Sequence, residues 1–262
     1  MSDKECSFSM KNCGCEIKVA YVLILILFVL FFACCGCKGK KGLNNPKTMD
    51  KEIFTWIQKN PKAILDSVEA YVKEEQIKAQ QQQEQNTKKN IENNYEKLIS
   101  EVNTGVANPK GKKIVVEFFD YNCGYCKMAS KAVKEIATED KDVKVIFREM
   151  PILGNPSVEA AQYSVAVSMV APNKFLEFHD ALIHGNARTK DGIKAALNKA
   201  GIQVAKVEET LKNKKDEIEK RINDNRELAQ QLGLGGTPAF IINKEFIPGY
   251  IEKAQMLELL KK

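Results

Sequence analysis

The sequence predicts an α/β domain with a helical insertion in its sheet, preceded by an apolar segment and a helical arm. Three observations carry this. The run Ile114-Val115-Val116-Glu117-Phe118-Phe119-Asp120-Tyr121-Asn122 reads as a buried strand, and it leads into a helix opened by Cys123-Gly124-Tyr125-Cys126. Residues 143–149 and 239–246 read as further strands, with a closing helix near 251–260. Between the last two strands lie about ninety residues of helical pattern, far beyond an ordinary loop.

The chain has 262 residues and a net charge of +6, spread over interspersed Lys and Glu. That is a solvated surface and not a nucleic-acid footprint. No phosphate loop, nucleotide fingerprint or metal constellation is visible, so nucleic-acid partners and metal sites are not expected. Residues 1–18 form an N-terminal tail, and residues 19–35 are apolar throughout. As a helix the second stretch spans about 26 Å, near the lower limit for crossing a bilayer. Ala33-Cys34 is a poor cleavage site, and a lipoprotein signal ending at Cys34 would want an aliphatic residue where Phe31 stands. An uncleaved single-pass anchor is favoured, with a cleaved signal or lipoprotein as the alternative.

Lys4, Lys11 and Lys18 precede the span, while Lys38, Lys40 and Lys41 cluster after it. Charge alone would keep the large domain inside. Cys6, Cys13, Cys15, Cys34, Cys35 and Cys37 flank the span without a context that reads as catalytic.

A linker at 36–50 leads to a helical arm at 51–107. Ile53, Phe54 and Ile57 share one side; after Asn60-Pro61, the residues Ile64, Leu65, Val68, Tyr71 and Val72 continue an apolar stripe. Gln80 to Gln83 and Lys88-Lys89 read as a flexible middle, before Ile91, Tyr95, Leu98, Ile99 and Val102. Such a stripe needs something to bury it. Self-association is one option; folding back on its own domain, or serving as a solvated spacer, is the other.

The main domain is assigned to 108–262, with the helical insertion at about 154–232. Tyr163, Phe175 and Phe178 read as core of that insertion, and His179 and His184 as ordinary surface-helix histidines.

Cysteines at i and i+3 at the start of a helix put both sulfurs on one face, within disulfide distance. The unpaired N–H groups and the macrodipole of a helix N-terminus favour a thiolate. Cys123 is therefore the candidate nucleophile, and Cys126, one turn inside, the candidate resolving thiol. Zinc is the competing reading. It lacks ligands, because no second CxxC or HxxxH follows and the only histidines are His179 and His184.

Glu117 interrupts a strand whose neighbours on both faces are apolar. A buried carboxylate needs a reason, and proton exchange with Cys126 supplies one; the alternative is a strand-end glutamate that reaches solvent. Far along the chain, Pro238 stands at the first position of a strand, where it marks a special turn.

The strand, the CxxC helix, a helical stretch, then Gly-Thr-Pro before a strand and a final helix together resemble the thioredoxin superfamily. The details resemble its DsbA-like branch, in particular ScsC-type bacterial proteins. The segments concerned are Asn108 to Gly111 with Val115 to Lys127, Met150-Pro151-Ile152-Leu153-Gly154, Phe178 to Leu182, and Leu234 to Ile241.

The resemblance implies a thioredoxin fold and a thiol-disulfide oxidoreductase, an isomerase or oxidase, in which Cys123, Cys126 and Glu117 are catalytic. It implies that Pro238 is cis, that Thr237 presents backbone to substrate beside Cys123, and that Gly124, Tyr125, Thr237 and Pro238 bind substrate. No cofactor beyond a redox-active Cys123–Cys126 disulfide is expected. Cysteine-containing exported proteins are the expected clients, a membrane redox partner resets the site, and the arm at 51–107 makes a homo-oligomer. The expected place is a bacterial inner membrane, anchored through 19–35, with the domain in the periplasm, where disulfide exchange belongs.

Gly124-Tyr125 departs from the strongly oxidising members, having no cation beside Cys123, so a less extreme oxidant is expected. The rival function is an envelope scaffold that keeps the fold without catalysis.

Overall fold

The computed structural model describes residues 46–101 and 104–261. The apolar run 19–35 and Cys6, Cys13, Cys15, Cys34, Cys35 and Cys37 lie outside the described residues. Among those described, no helix is long and apolar enough to cross a membrane. The chain divides into two compact units, one up to Lys73 and one from Glu74 to Lys262.

The first unit holds helix α1 (Pro46–Lys59) and the start of α2 (Pro61–Asn93). Its large apolar side chains Ile53, Phe54, Trp56, Ile57, Leu65, Val68, Tyr71 and Val72 are exposed. The flexible middle expected around Gln80 to Gln83 is corrected: α2 runs unbroken through it to Asn93. Glutamine is a good helix former, and side-chain bonds one turn apart support it, from Gln80 Nε2 to Glu84 Oε1 (2.9 Å) and from Gln82 Nε2 to Asn86 Oδ1 (3.1 Å).

The second unit is built on a five-stranded sheet of order β1-β3-β2-β4-β5. The strands are β1 (Gly105–Ala107), β2 (Lys113–Phe119), β3 (Val143–Glu149), β4 (Ala239–Ile242) and β5 (Glu245–Pro248). Only β2 and β3 run parallel; the other neighbours are antiparallel. A parallel pair requires a crossover, and α4 (Gly124–Glu139) supplies it. Its buried side Cys126, Ala129, Ser130, Val133, Ile136 and Ala137 repeats at three and four residues, the spacing of one helical face.

Because side chains alternate along a strand, β2 feeds two cores. Val115 and Phe119 join α4 and the inserted helices on one face; Val116 and Phe118 pack on the other with Ile91, Leu98, Leu228 and Leu232. Residues read from the sequence as the end of the arm thus cover one face of this sheet. The fully buried Ile91 and Leu98 each contribute about 1.5–3 kcal/mol by leaving water.

The insertion comprises α5 (Asn155–Val170), α6 (Phe175–Ile183), α7 (Lys190–Lys199), α8 (Val204–Asn213) and α9 (Lys215–Leu232). Tyr163, Phe175 and Phe178 are buried in it, as expected. His179 corrects the surface reading: it is buried, ringed by Phe119, Phe147 and Phe175. His184 is partly exposed, with Nε2 at 3.0 Å from Ser130 Oγ. Helix α9 ends on Gly233 in the left-handed region (φ 73°), while the Leu234 N–H bonds to Ala229 O at 2.9 Å. That cap aims the chain at Gly235-Gly236-Thr237-Pro238.

Two strand expectations change. The single strand 239–246 is a hairpin, turned by Asn243 and Lys244 at φ 47° and 72° before β5, and α10 (Lys253–Leu259) closes the chain. Strand β1 was not expected, being only three residues long. Gly105 admits the ring of Phe175 so closely that any Cβ there would overlap it.

Arg148 points to the arm's side of the sheet. Its Nη2 donates to Lys97 O (2.6 Å), Leu98 O (2.9 Å) and Ser100 O (2.9 Å), and its Nη1 to Asn225 Oδ1 (3.0 Å). These carbonyls end helix α3 (Tyr95–Ile99), where they lack helical partners. Burial lowers this guanidinium to about 10, yet it keeps its charge at neutral pH. Arg148→Met, which keeps the length and removes the donors, is expected to destabilise the chain by about 3 kcal/mol. Urea denaturation of the protein truncated before residue 46 measures it, and a loss below about 1 kcal/mol would mean that water replaces the guanidinium.

Candidate functional site

Strand β2 stops at Phe119 because the next residues turn. The Asp120 carboxylate accepts the Asn122 N–H (2.8 Å), and its carbonyl accepts the Cys123 N–H (3.0 Å). Cys123 has extended backbone (φ −80°, ψ 122°) and stands at the N-cap of α4, just ahead of the helix's unpaired N–H groups. Cys126 lies one turn on, facing the core.

Both thiols are free, and the Cys123 side chain is within hydrogen-bonding reach of Cys126. Cys123 is 9% exposed and Cys126 wholly buried. The Cys123 Sγ donates to Thr237 O at 3.2 Å, across 114 residues of sequence. The Thr237–Pro238 bond is cis. Gly124, Gly235 and Gly236 have open space where a side chain would stand, and Tyr125 is 63% exposed. Met128, Ile152 and Leu153 are exposed as well. The structure therefore brings Cys123, Cys126, Thr237 and Pro238 together at one rim, with Gly124 and Tyr125 on its outer side.

Glu117 sits beneath that rim. The sheet register sets it between Phe147 and Phe240, and it is wholly buried, which corrects the alternative of a strand-end glutamate reaching solvent. Neither carboxyl oxygen has a hydrogen-bond partner among the described residues. Burial, and then negative charge at Cys123, hold its proton up to about 8, so the group is mostly protonated at neutral pH. Burial also pushes the Cys126 thiol far up, and charge on Glu117 adds to this, against a backbone hydrogen bond from Asp120. At neutral pH Glu117 and Cys126 thus each hold a proton, and the outer sulfur is that of Cys123.

Sequence reasoning passed over a second polar group. Ser164 Oγ donates to Glu149 Oε1 (2.8 Å), and Tyr121 OH shares a hydrogen bond with Ser164 Oγ (2.9 Å) and with His179 Nδ1 (3.3 Å). Asn225 Nδ2 donates to Glu149 Oε2 (3.2 Å). Burial raises Glu149 to about 7 and lowers His179 to about 3, so His179 is neutral. Tyr121, two residues before Cys123, is thereby pinned to the inserted helices. The available signal was polar residues in otherwise apolar elements, Glu149 closing a strand and Ser164 inside an apolar helix.

A family model described as a DSBA-like thioredoxin domain matches residues 114–261. The thiol-disulfide exchange protein alpha-DsbA2 from Wolbachia pipientis is 30% identical, with a TM-score of 0.63 over 67% of this chain and 94% of that one. A periplasmic thioredoxin-like protein from Salmonella enterica serovar Typhimurium is 31% identical, with a TM-score of 0.57 over 64% of this chain and 93% of that one. A curated relative, the Na(+)/H(+) antiporter NhaA 1 of Salinispora arenicola, is 26% identical over 131 residues, 49% of this chain. The match spans 20% of that relative's length.

The position of Glu117 makes stability depend on pH. Its folded value of about 8 lies above the ordinary 4.5, so proton binding favours the folded state; that contribution is complete below pH 4.5 and is lost as pH rises through about 8. Glu117→Gln removes it. The stability of the variant relative to the native chain is expected to rise by on the order of 2 kcal/mol or more between about pH 5 and pH 9. Urea denaturation at both ends gives the difference, and a constant value across the range would mean that the carboxyl titrates as if exposed.

Proposed function

Because the chain belongs to the DSBA-like thioredoxin domain family, we propose that it is a protein thiol-disulfide oxidoreductase, working as a disulfide isomerase or oxidase on cysteines of exported proteins. One observation carries this reading: Cys123 Sγ stands at the rim against Thr237 O, with Cys126 and the unpartnered Glu117 directly behind it. The nucleophile keeps a small exposed surface at the rim, and the resolving thiol is kept from solvent.

In the reducing direction the Cys123 thiolate attacks one sulfur of a client disulfide. The client S–S bond breaks, a Cys123–client disulfide forms, and the second client sulfur leaves as a thiolate. Cys123 then carries no charge, so one of the two causes that hold the Glu117 proton is gone; Glu117 releases that proton to solvent and stands as a carboxylate. Cys126 gives its proton to Glu117 and attacks Cys123 Sγ. The Cys123–Cys126 bond forms, and the client leaves with two electrons gained. The reverse sequence oxidises a client dithiol. Isomerisation results when a different thiolate of the client attacks the client sulfur of the mixed disulfide before Cys126 does: a new client disulfide forms, the Cys123 thiolate leaves, and no net electrons pass.

Thr237 O offers a backbone acceptor at the rim to an extended client segment, and the exposed Tyr125 beside the open Gly124 offers it apolar surface. The run 19–35 supports a single-pass membrane anchor, with this domain in the periplasm, where a membrane redox partner resets the site. The exposed Ile53, Phe54, Trp56 and Ile57, with Leu65, Val68, Tyr71 and Val72, support self-association through the arm.

Two measurements test this reading. The Cys123–Cys126 couple is expected to have a potential between about −270 and −120 mV, since no cation stands between the cysteines, and the protein should reactivate scrambled ribonuclease while Cys123→Ser does not. Equal reactivation by Cys123→Ser would leave the fold as a scaffold. For the arm, light scattering on the chain truncated before residue 46 should give an oligomer that becomes monomeric when Phe54, Trp56, Leu65 and Tyr71 are all replaced by Ser; a monomer at the outset would make the arm a spacer.

A further inference from the structure

Asp120 is the buried polar residue with the most connections near the dithiol, and the exchange chemistry does not use its side chain. It is 2% exposed and has no cationic partner among the described residues. Its carboxylate is instead filled by four hydrogen bonds. Oδ1 accepts from the Asn122 N–H (2.8 Å) and Ser157 Oγ (2.7 Å); Oδ2 accepts from the N–H groups of Ile152 (2.8 Å) and Leu153 (3.0 Å). The last two belong to the loop after β3, and their side chains are among the exposed apolar ones. The same residue's carbonyl accepts the Cys123 N–H at 3.0 Å. One amino acid therefore joins the nucleophile's backbone to an apolar ledge that the chain places some thirty residues later.

The physical consequence is a fixed spacing. Two consecutive backbone N–H groups in a surface loop can be satisfied by water equally well, in which case the loop would be left with the bond that Arg226 Nη2 donates to Pro151 O (2.7 Å), ahead of the ledge, and the ledge itself would be free to shift. A carboxylate that takes both, and is itself held on its other oxygen by Asn122 and Ser157, leaves the loop one arrangement. Ser157 opens α5, so the ledge is referred to the inserted helices as well. Asparagine could not replace it, because one of its two positions would be an NH2 group facing N–H donors.

Resting on the oxidoreductase reading, we propose that Asp120 is a positioning residue that sets the Ile152–Leu153 ledge beside Cys123, and that the ledge selects clients carrying an apolar side chain next to the reacting cysteine. The ligand is an extended, cysteine-containing segment, and the selectivity lies in its binding. The chemical step at sulfur is shared by all clients.

The test uses the full-length chain in mild detergent with two disulfide-linked peptides, one with Leu and one with Ser beside the cysteine. The native chain should favour the Leu peptide at least fivefold in kcat/KM, the difference lying in KM. Asp120→Asn, and separately the pair Ile152→Ser with Leu153→Ser, should reduce that preference below twofold, again through KM. A preference kept in either variant overturns the inference.

Should Asp120→Asn fail to fold, amide exchange of the native chain decides: protected Ile152 and Leu153 N–H groups are expected, and free exchange there would refute the carboxylate's hold on the loop. A native chain that exchanges with neither peptide, while those amides stay protected, would overturn the oxidoreductase reading, and the selectivity with it.

Discussion

Strand β2 must be covered on both faces, and most of the second unit follows from that need. Its odd-numbered side chains face α4 and the inserted helices, and its even-numbered ones face Ile91, Leu98 and the end of α9. A strand buried on both sides reads as an uninterrupted apolar run, and the one departure, Glu117, is then necessarily dry. The dithiol inherits its character from this. Cys126 is buried because α4 lies flat on that face, while Cys123 is left at the rim because the strand has just ended.

Burial also decides the charge states around the site. Glu117, Cys126 and Tyr121 are all displaced toward their neutral forms, and desolvation is the first cause in each case. The proton on Glu117 has no hydrogen-bond acceptor among the described residues, since neither oxygen of Glu117 is engaged.

Two further buried charged groups act as fasteners. Arg148 and Asp120 each bind backbone groups of a distant segment: the end of α3 in one case, the Ile152–Leu153 loop in the other. Both bind uncharged backbone groups in place of an ion-pair partner. Hydrogen bonds from or to an ionised group are worth about 1.5–3 kcal/mol, and they specify a direction, which apolar contact does not. A small domain with an active site at the junction of sheet and insertion gains a single arrangement of that junction in this way.

The dithiol at a strand-to-helix junction, the glutamate inside an apolar run and the Thr-Pro before a strand were all legible in the chain, because each is a local pattern. That about 154–232 is a helical insertion was legible for the same reason, the helical periodicity being short. The hairpin at Asn243-Lys244 was hidden because its left-handed turn contains no glycine, and β1 because three residues carry no period. The partners of Asp120, Arg148 and Glu149 were not legible at all. Asp120 meets Ser157 across 37 positions and Arg148 meets Asn225 across 77, while Cys123 and Thr237, 114 apart, were related through the resemblance and not through any local pattern. Sequence alone determined which side chains are the candidates for the chemistry; the tertiary structure decided which of them share a hydrogen bond and how dry each became, because both depend on packing between segments that local periodicity cannot relate.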